Sequence, residues 1–288
     1  MNGFFTGRPP GTPGLVLFLN AGDPPLRDLP RLAEALDTLG VDCLELAVPF
    51  PDSATDGPVI RRSARRALAD GADLDRVLAA VERIRPRMRR MRIVLLADWR
   101  HTVWPVGTGA FVRRVRDQGA DGLLVHGLPP RGRDAYLTAV RETGLPSVTT
   151  CYAGSDPAVV ARAAAEATAF VYLVAYYGRS GGSGRVDPRS VAATAVELRK
   201  RTDVPIVVGF GVSGAADTER MHCLGADAVV VGSAAVESVE RALTERRDVV
   251  PALEDLVRRL RPHSAESPTP ARTGAGSSQG KAHRNDHP

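Results

Sequence analysis

Eight short, nearly all-apolar stretches alternate with longer amphipathic ones along this chain, and the alternation predicts an α/β protein, a single (β/α)8 TIM barrel with a disordered C-terminal tail. Two further observations support that fold. The expected strands are apolar along their whole length, as strands buried on both faces are. The series also stops at eight, which a closed barrel explains and an open doubly wound sheet does not. With 288 residues, the chain has room for one large barrel or two smaller domains.

In chain order, a strand over 15–20 leads to a helix over 26–39, and a strand over 42–46 leads through a turn-rich loop to a helix over 74–84. The pairs that follow are 92–97 with 110–118, 122–125 with 131–142, 147–150 with 157–167, and 170–174 with 188–201. The last two are 205–208 with 215–224 and 228–231 with 252–260, with a further helix start at Ser233. Residues 1–14 are expected to be irregular, because Pro9, Pro10 and Pro13 sit among glycines and resist helix formation. The barrel is expected over 15–262. Residues 263–288 are rich in Ser, Pro, Thr and Gly, offer almost nothing apolar to bury, and are expected to be a disordered tail.

The composition, 43% hydrophobic and 25% charged, is that of an ordinary globular protein. No apolar run reaches the roughly 18 residues of a membrane span, and the first ten residues lack the apolar core of a secretory signal. Cys43, Cys151 and Cys223 lie far apart in or beside apolar stretches, which points to buried thiols in a reducing compartment, without disulfide or zinc spacing. The expectation is a cytoplasmic protein. Net charge is +5 and arginine carries nearly all the positive charge, with clusters at Arg61–Arg66 and Arg85–Arg90. No aromatic residues interleave with them as a nucleic-acid surface would require, so both read as solvated surface, and neither nucleic acid nor a membrane is an expected partner.

The most informative segment runs from Cys43 to Pro58. Glu45 is embedded in the second apolar strand and Asp56 lies in the turn-rich loop after it. A carboxylate in a buried strand is costly unless it is hydrogen-bonded or employed, and a second one a short loop away lets the pair divide acid/base and charge-stabilising roles. The plainer reading is a strand-end Glu bonded to a neighbouring backbone and a solvated Asp. In a barrel both residues lie at the C-terminal end of the strands, where active sites form. Glycine-rich turns follow the last strands at Gly209-Phe210-Gly211-Val212-Ser213-Gly214 and Gly232-Ser233, positions where barrels commonly hold phosphate at a helix N-terminus. A third glycine-rich stretch, 178–184, reads either as a lid with glycine hinges or as a plain surface loop. The residues therefore point to a phosphorylated small molecule beside a carboxylate pair.

Asn20-Ala21-Gly22-Asp23-Pro24, Glu45-Leu46-Ala47-Val48-Pro49-Phe50 with Asp56-Gly57-Pro58, Gly209-Phe210-Gly211-Val212-Ser213 and Gly232-Ser233 agree in order and spacing with one family. From about 15 to 236 the chain resembles the tryptophan synthase alpha chain and its stand-alone relatives, the indole-3-glycerol-phosphate lyases. The resemblance implies retro-aldol cleavage of indole-3-glycerol phosphate to indole and glyceraldehyde-3-phosphate. It implies that Glu45 is the general acid/base at indole C3 and at the glycerol hydroxyl, and that Asp56 balances charge developing on the indole nitrogen. By the same resemblance Tyr172 lines the site, and Gly184, Phe210, Gly211, Gly232 and Ser233 bind phosphate. Phe18, Leu96 and Leu124 fall where the family has apolar walls for the indole ring, although ordinary barrel packing explains these three equally well. No metal or organic cofactor is implied.

The chain also departs from the family pattern, in the 51–56 loop, in Asp98-Trp99-Arg100-His101 after the third strand, in Gly127-Leu128-Pro129 after the fourth, and in Tyr176-Tyr177-Gly178-Arg179-Ser180-Gly181. In the family these loops touch the beta subunit or relay its state. The departures imply a lyase acting without a standard beta subunit, with Asp98, Arg100, His101 and His126 forming local contacts in its place. His101 is expected to face solvent and His126, by alternation with Leu124, to point inward. A conventional alpha subunit in an alpha/beta complex, or a non-catalytic partner-binding pseudo-subunit, are the alternatives.

Overall fold

The computed structural model describes residues 4–8, 11–175, 187–209 and 211–261, and in them eight parallel strands close into one barrel in chain order. The strands are β1 Gly14–Asn20, β2 Cys43–Ala47, β3 Arg92–Asp98, β4 Gly122–His126, β5 Ser147–Tyr152, β6 Phe170–Val174, β7 Ile206–Gly209 and β8 Ala228–Val231, each within two residues of its expected ends. Closure is made by β8 pairing with β1, with Val16 beside Val230.

The helices are α1 Leu29–Thr38, α2 Pro58–Ala69, α3 Leu74–Ile84, the single turn α4 Trp104–Val106, α5 Thr108–Asp117, α6 Arg133–Thr143, α7 Pro157–Glu166, α8 Pro188–Arg199, α9 Ala215–Cys223, α10 Ser233–Thr244 and α11 Val249–Leu260. One helix per strand is therefore too few: β2 and β8 are each followed by two, and β3 by the single turn α4 and then α5. α2 carries four arginines, and its buried stripe is only Ile60, Ser63, Ala64 and Ala67, so its apolar signal is faint. It packs between α10 and β1, and so it belongs to the helical ring despite that weak signal. The tail, 263–288, lies outside the described residues.

Alternation along the strands divides the apolar residues into two cores. Leu15, Leu17, Leu19, Leu44, Leu46 and their counterparts face outward to the helices. Val16, Cys43, Val94, Leu124, Val148, Phe170, Val207 and Ala228 fill the barrel interior. The N-terminal end of the interior is stoppered by Phe4 and Phe5, whose rings lie 5.7 and 5.8 Å from that of Phe170. Arg8 stands over the Phe5 ring at 5.3 Å and pairs with Asp42 at 3.3 Å, tying this irregular segment to the barrel floor. Sequence reasoning assigned these two phenylalanines no role.

Cys43 and Cys151 are buried as expected, but Cys223 is exposed. It ends α9, whose buried face is carried by Thr218 and Met221, and helical spacing turns Cys223 away from that face.

The aromatic stopper has a measurable consequence. Phe5→Ala and Phe170→Ala are each expected to destabilise the fold by about 3–5 kcal/mol in denaturant unfolding. Because the rings touch, the double variant should lose less than the sum of the two; strict additivity would show that Phe5 does not pack on Phe170 in solution.

Candidate active site

The inner face of the barrel changes character toward the C-terminal ends of the strands. Glu45 follows Cys43 by two residues and therefore points inward, between Phe18 of β1 and Val94 of β3 in the register. Leu96 sits beside Leu124, and Thr150 beside Tyr172, on the same inner face. Above this layer the interior opens into a cavity of about 420 Å³. Its lining includes Phe18, Glu45, Asp56, Leu96, Leu124, Tyr172, Gly211, Gly232 and Ser233. Nine of the sequence-derived site residues thus share one cavity, whereas Gly184 and Phe210 lie outside the described residues.

Glu45 is only 2% exposed, and its Oε1 has no hydrogen-bond partner among the described residues. Burial, reinforced by the negative charge of Asp56, raises its pKa from 4.5 to about 8. At neutral pH Glu45 is therefore a carboxylic acid, a proton donor aimed into the cavity. The plainer reading of a strand-end Glu bonded to nearby backbone does not describe Oε1.

Asp56 owes its place to α2, which begins two residues later. Gly57 caps that helix and Pro58 opens its first turn. Asn20 Nδ2 donates to the Ile60 carbonyl at 3.2 Å and to Ser63 Oγ at 3.0 Å, holding α2 against the end of β1. Arg66 bridges Asp23 and Glu240, each at 2.7 Å, and Arg62 also pairs with Glu240 at 2.7 Å. These hydrogen bonds hold the Glu240 pKa at about 2. The Asn20–Asp23 turn thus serves as the anchor of α2, a role that sequence reasoning did not assign.

Tyr172 stands against Gly209 so closely that a Cβ on that glycine would lie 2.2 Å from the phenol ring. Burial and the charges of Glu45 and Asp56 push the Tyr172 hydroxyl further from ionisation, so it stays a neutral wall of the site. On the other side Gly211 adopts φ +68°, a left-handed conformation that a side chain would strain. Gly232 caps α10 and Ser233 is its first residue, so the N–H groups of a 12-residue helix open at the cavity. In the closed ring this glycine side, after β7 and β8, faces the β3–β4 side.

Sequence reasoning missed Thr55, Thr150, Tyr152 and Glu237, which also line the cavity. Period-two alternation from Tyr172 and its partner Thr150 would have found Tyr152; nothing in the sequence marked Glu237. His126 lines the cavity as alternation predicted. His101 is exposed, as expected, and it also makes local contacts: its Nδ1 lies 2.7 Å from Asp98 Oδ1 and its ring stacks on Phe50 at 5.2 Å. Arg100 is exposed and joins none of these contacts. Among the described residues no group of three or more His, Cys, Asp or Glu side chains is arranged to hold a metal ion.

Fold and cavity together define a (β/α)8-barrel protein with its site at the carboxyl ends of the strands. Comparison with known proteins gives the family. The tryptophan synthase alpha chain family model matches residues 5–265. The tryptophan synthase alpha chain of Gloeobacter violaceus is 40% identical over 235 residues, covering 81% of this chain and 83% of that one. That of Burkholderia mallei is 37% identical over 236 residues, covering 82% and 86%. A crystal structure of Mycobacterium tuberculosis tryptophan synthase superposes with a TM-score of 0.75 at 30% identity, covering 87% of this chain and 91% of that one. The alpha subunit from Pyrococcus furiosus gives 0.76 at 28% identity, covering 87% and 97%. The chain belongs to the tryptophan synthase alpha chain family.

The environment of Glu45 predicts a pH-dependent stability. Below about pH 4.5 the group is protonated in both folded and unfolded chains and has no effect. As pH rises the unfolded chain ionises first, so stability falls until the folded pKa near 8 is passed and then levels off. Relative to the parent, Glu45→Gln should therefore gain on the order of 4 kcal/mol between pH 4 and pH 9 in urea unfolding. Parallel profiles would mean that Glu45 is not desolvated.

Proposed function

We propose that this chain cleaves indole-3-glycerol phosphate to indole and glyceraldehyde-3-phosphate in a retro-aldol reaction. The observation that carries the reading is the buried Glu45 carboxyl, protonated at neutral pH, without a partner at Oε1, and sharing its cavity with Asp56. In this reading Glu45 donates its proton to C3 of the indole ring, and the positive charge that develops on the ring nitrogen is balanced by Asp56. The Glu45 carboxylate then accepts the proton of the glycerol hydroxyl as the carbon–carbon bond breaks. Indole leaves, the aldehyde forms, and Glu45 returns to its starting protonation state. Phe18, Leu96, Leu124 and Tyr172 would wall the ring. The phosphate would lie on Gly211, Gly232 and Ser233 at the α10 N-terminus, with Gly184 and Phe210 as further binding positions. The steps need only proton transfer, and no metal or organic cofactor takes part. A cytoplasmic location fits a reaction on a phosphorylated metabolite.

We further infer that the activity does not need a standard beta subunit. The support is the contact patch that the departures after β2 and β3 make with each other and with Phe50 and His126: Phe50 with His101, Thr55 with His126, and both histidines with Asp98. One observation favours the second reading, a conventional alpha subunit: Trp104, beside the β3 rim, is 63% exposed, as an aromatic anchor for a partner would be. A non-catalytic role does not account for the retention of both Glu45 and Asp56.

Indole release from indole-3-glycerol phosphate by the purified chain, alone and with a beta subunit, tests both points. Turnover alone, unchanged by the partner, is expected; negligible turnover that rises strongly with the partner would make it a conventional alpha subunit. Glu45→Gln should lower kcat by about 100-fold or more, and an unimpaired variant would overturn the mechanism. Because the protonated form starts the reaction, kcat/KM should fall as pH rises through about 8.

A further inference from the structure

We propose that Asp98 is the hub of a clamp that holds the 50–56 segment over the cavity, with His101 and His126 as its two arms, and so sets the position of Asp56. The inference rests on the reading of Asp56 as the charge-balancing carboxylate. Residues 48–57 belong to no helix or strand, and Asp52 takes φ +53°. Side-chain contacts must therefore do much of what a backbone ladder does elsewhere.

Those contacts converge on one buried carboxylate. Asp98 ends β3 with its side chain only 10% exposed. Its Oδ1 accepts from the His101 backbone N–H at 2.9 Å and lies 2.7 Å from His101 Nδ1. The His101 ring in turn stacks on Phe50, the first residue of the segment, with an interplanar angle of 20°. Asp98 Oδ2 lies 3.5 Å from His126 Nδ1, and the opposite nitrogen of that ring, Nε2, is 3.3 Å from Thr55 Oγ1. Both ends of the segment are thus tied to the two oxygens of one side chain.

The donors and acceptors run in a single direction. The Asp56 backbone N–H donates to Ser53 Oγ at 3.3 Å, and Ser53 Oγ lies 3.4 Å from Thr55 Oγ1. With His126 neutral, the Ser53 hydroxyl donates to Thr55, the Thr55 hydroxyl to His126 Nε2, and His126 Nδ1–H to Asp98 Oδ2. The only acceptor without a proton to give is the terminal carboxylate. Burial works against its ionisation, but the hydrogen bonds from His101 and His126 outweigh it and hold its pKa below the usual carboxylate range. Because both His126 nitrogens are engaged within the chain, His126 is assigned to positioning Asp56, not to contact with the ring.

The test compares the full-length parent with Thr55→Val, Thr55→Ser, His126→Ala, Asp98→Ala and Thr55→Val/His126→Ala. Thr55→Val and His126→Ala should each lower kcat for indole release by about 10- to 100-fold with KM within about twofold. The double variant should be no worse than about twofold below the poorer single, because the two residues act in one chain. Thr55→Ser, which keeps the hydroxyl, should stay within about threefold of the parent. In hydrogen–deuterium exchange the 50–58 segment should exchange about fivefold or more faster in Thr55→Val and Asp98→Ala, with β3 and β4 unchanged. An unchanged segment, faster exchange throughout the barrel, or faster segment exchange with unchanged kcat would each overturn the proposal. A parent that releases no indole would instead overturn the proposed function, and the exchange measurement alone would then decide whether the clamp exists.

Discussion

The desolvation of one carboxyl group organises this molecule. Closing eight strands on themselves places alternate residues in an interior that water does not reach, and at β2 one of those residues is Glu45. In such a place the charged form is disfavoured unless a cation or a set of hydrogen bonds compensates it, and Oε1 has neither among the described residues. The group is retained instead as a neutral acid, and the nearby charge of Asp56 pushes it further that way. Phe18 and Leu124 keep the floor of the cavity apolar, and Tyr172 stays uncharged, so the interior holds little that would relieve the carboxyl.

Asp56 cannot be placed by the strand ladder, because it lies beyond β2 in an irregular segment. Its position depends on what flanks it. On the C-terminal side, Asn20 holds the first turn of α2, and the Asp23–Arg66–Glu240–Arg62 chain docks that helix between the β1 turn and α10. The same α10 opens its N-terminus at the cavity, so the ion-pair chain couples the helix that follows Asp56 to the helix whose N–H groups open there. On the N-terminal side, Phe50 and Thr55 meet the two histidines that share Asp98. The segments on either side of Asp56 are thereby held by contacts from β1, β3, β4 and α10.

The loops that depart from the family pattern are the ones that make these local contacts. Asp98 caps a π-helical turn over Trp99–Val103, an uncommon local geometry that brings His101 back under the carboxylate. The residues 127–129 that follow β4 begin with Gly127 at φ +68°, and a Cβ there would meet Asp98 at 3.5 Å. The departures after β2, β3 and β4 thus form one connected patch beside the cavity, while 176–181 lies outside the described residues.

The sequence alone determined the strands and, on β4, the side that faces inward, because a strand buried on both faces of a parallel sheet is an unbroken apolar run and side-chain direction alternates with period two. That was sufficient for the barrel and for His126 pointing inward, and, with the family motifs, for bringing Glu45, Phe18, Leu96, Leu124 and Tyr172 to the same site. It also named Gly211, Gly232 and Ser233, since glycine turns after late strands are local features. Tertiary structure alone decided that α2 packs between α10 and β1, that Phe4 and Phe5 stopper the barrel, and that Asn20 and Asp23 anchor a helix some 40 residues away. It alone tied the contacts of Asp98, His101 and His126 to the segment that carries Asp56. The reason is the range of the forces: periodicity and turn chemistry act within a few residues, whereas desolvation and ion pairing depend on neighbours that exist only once the barrel has closed.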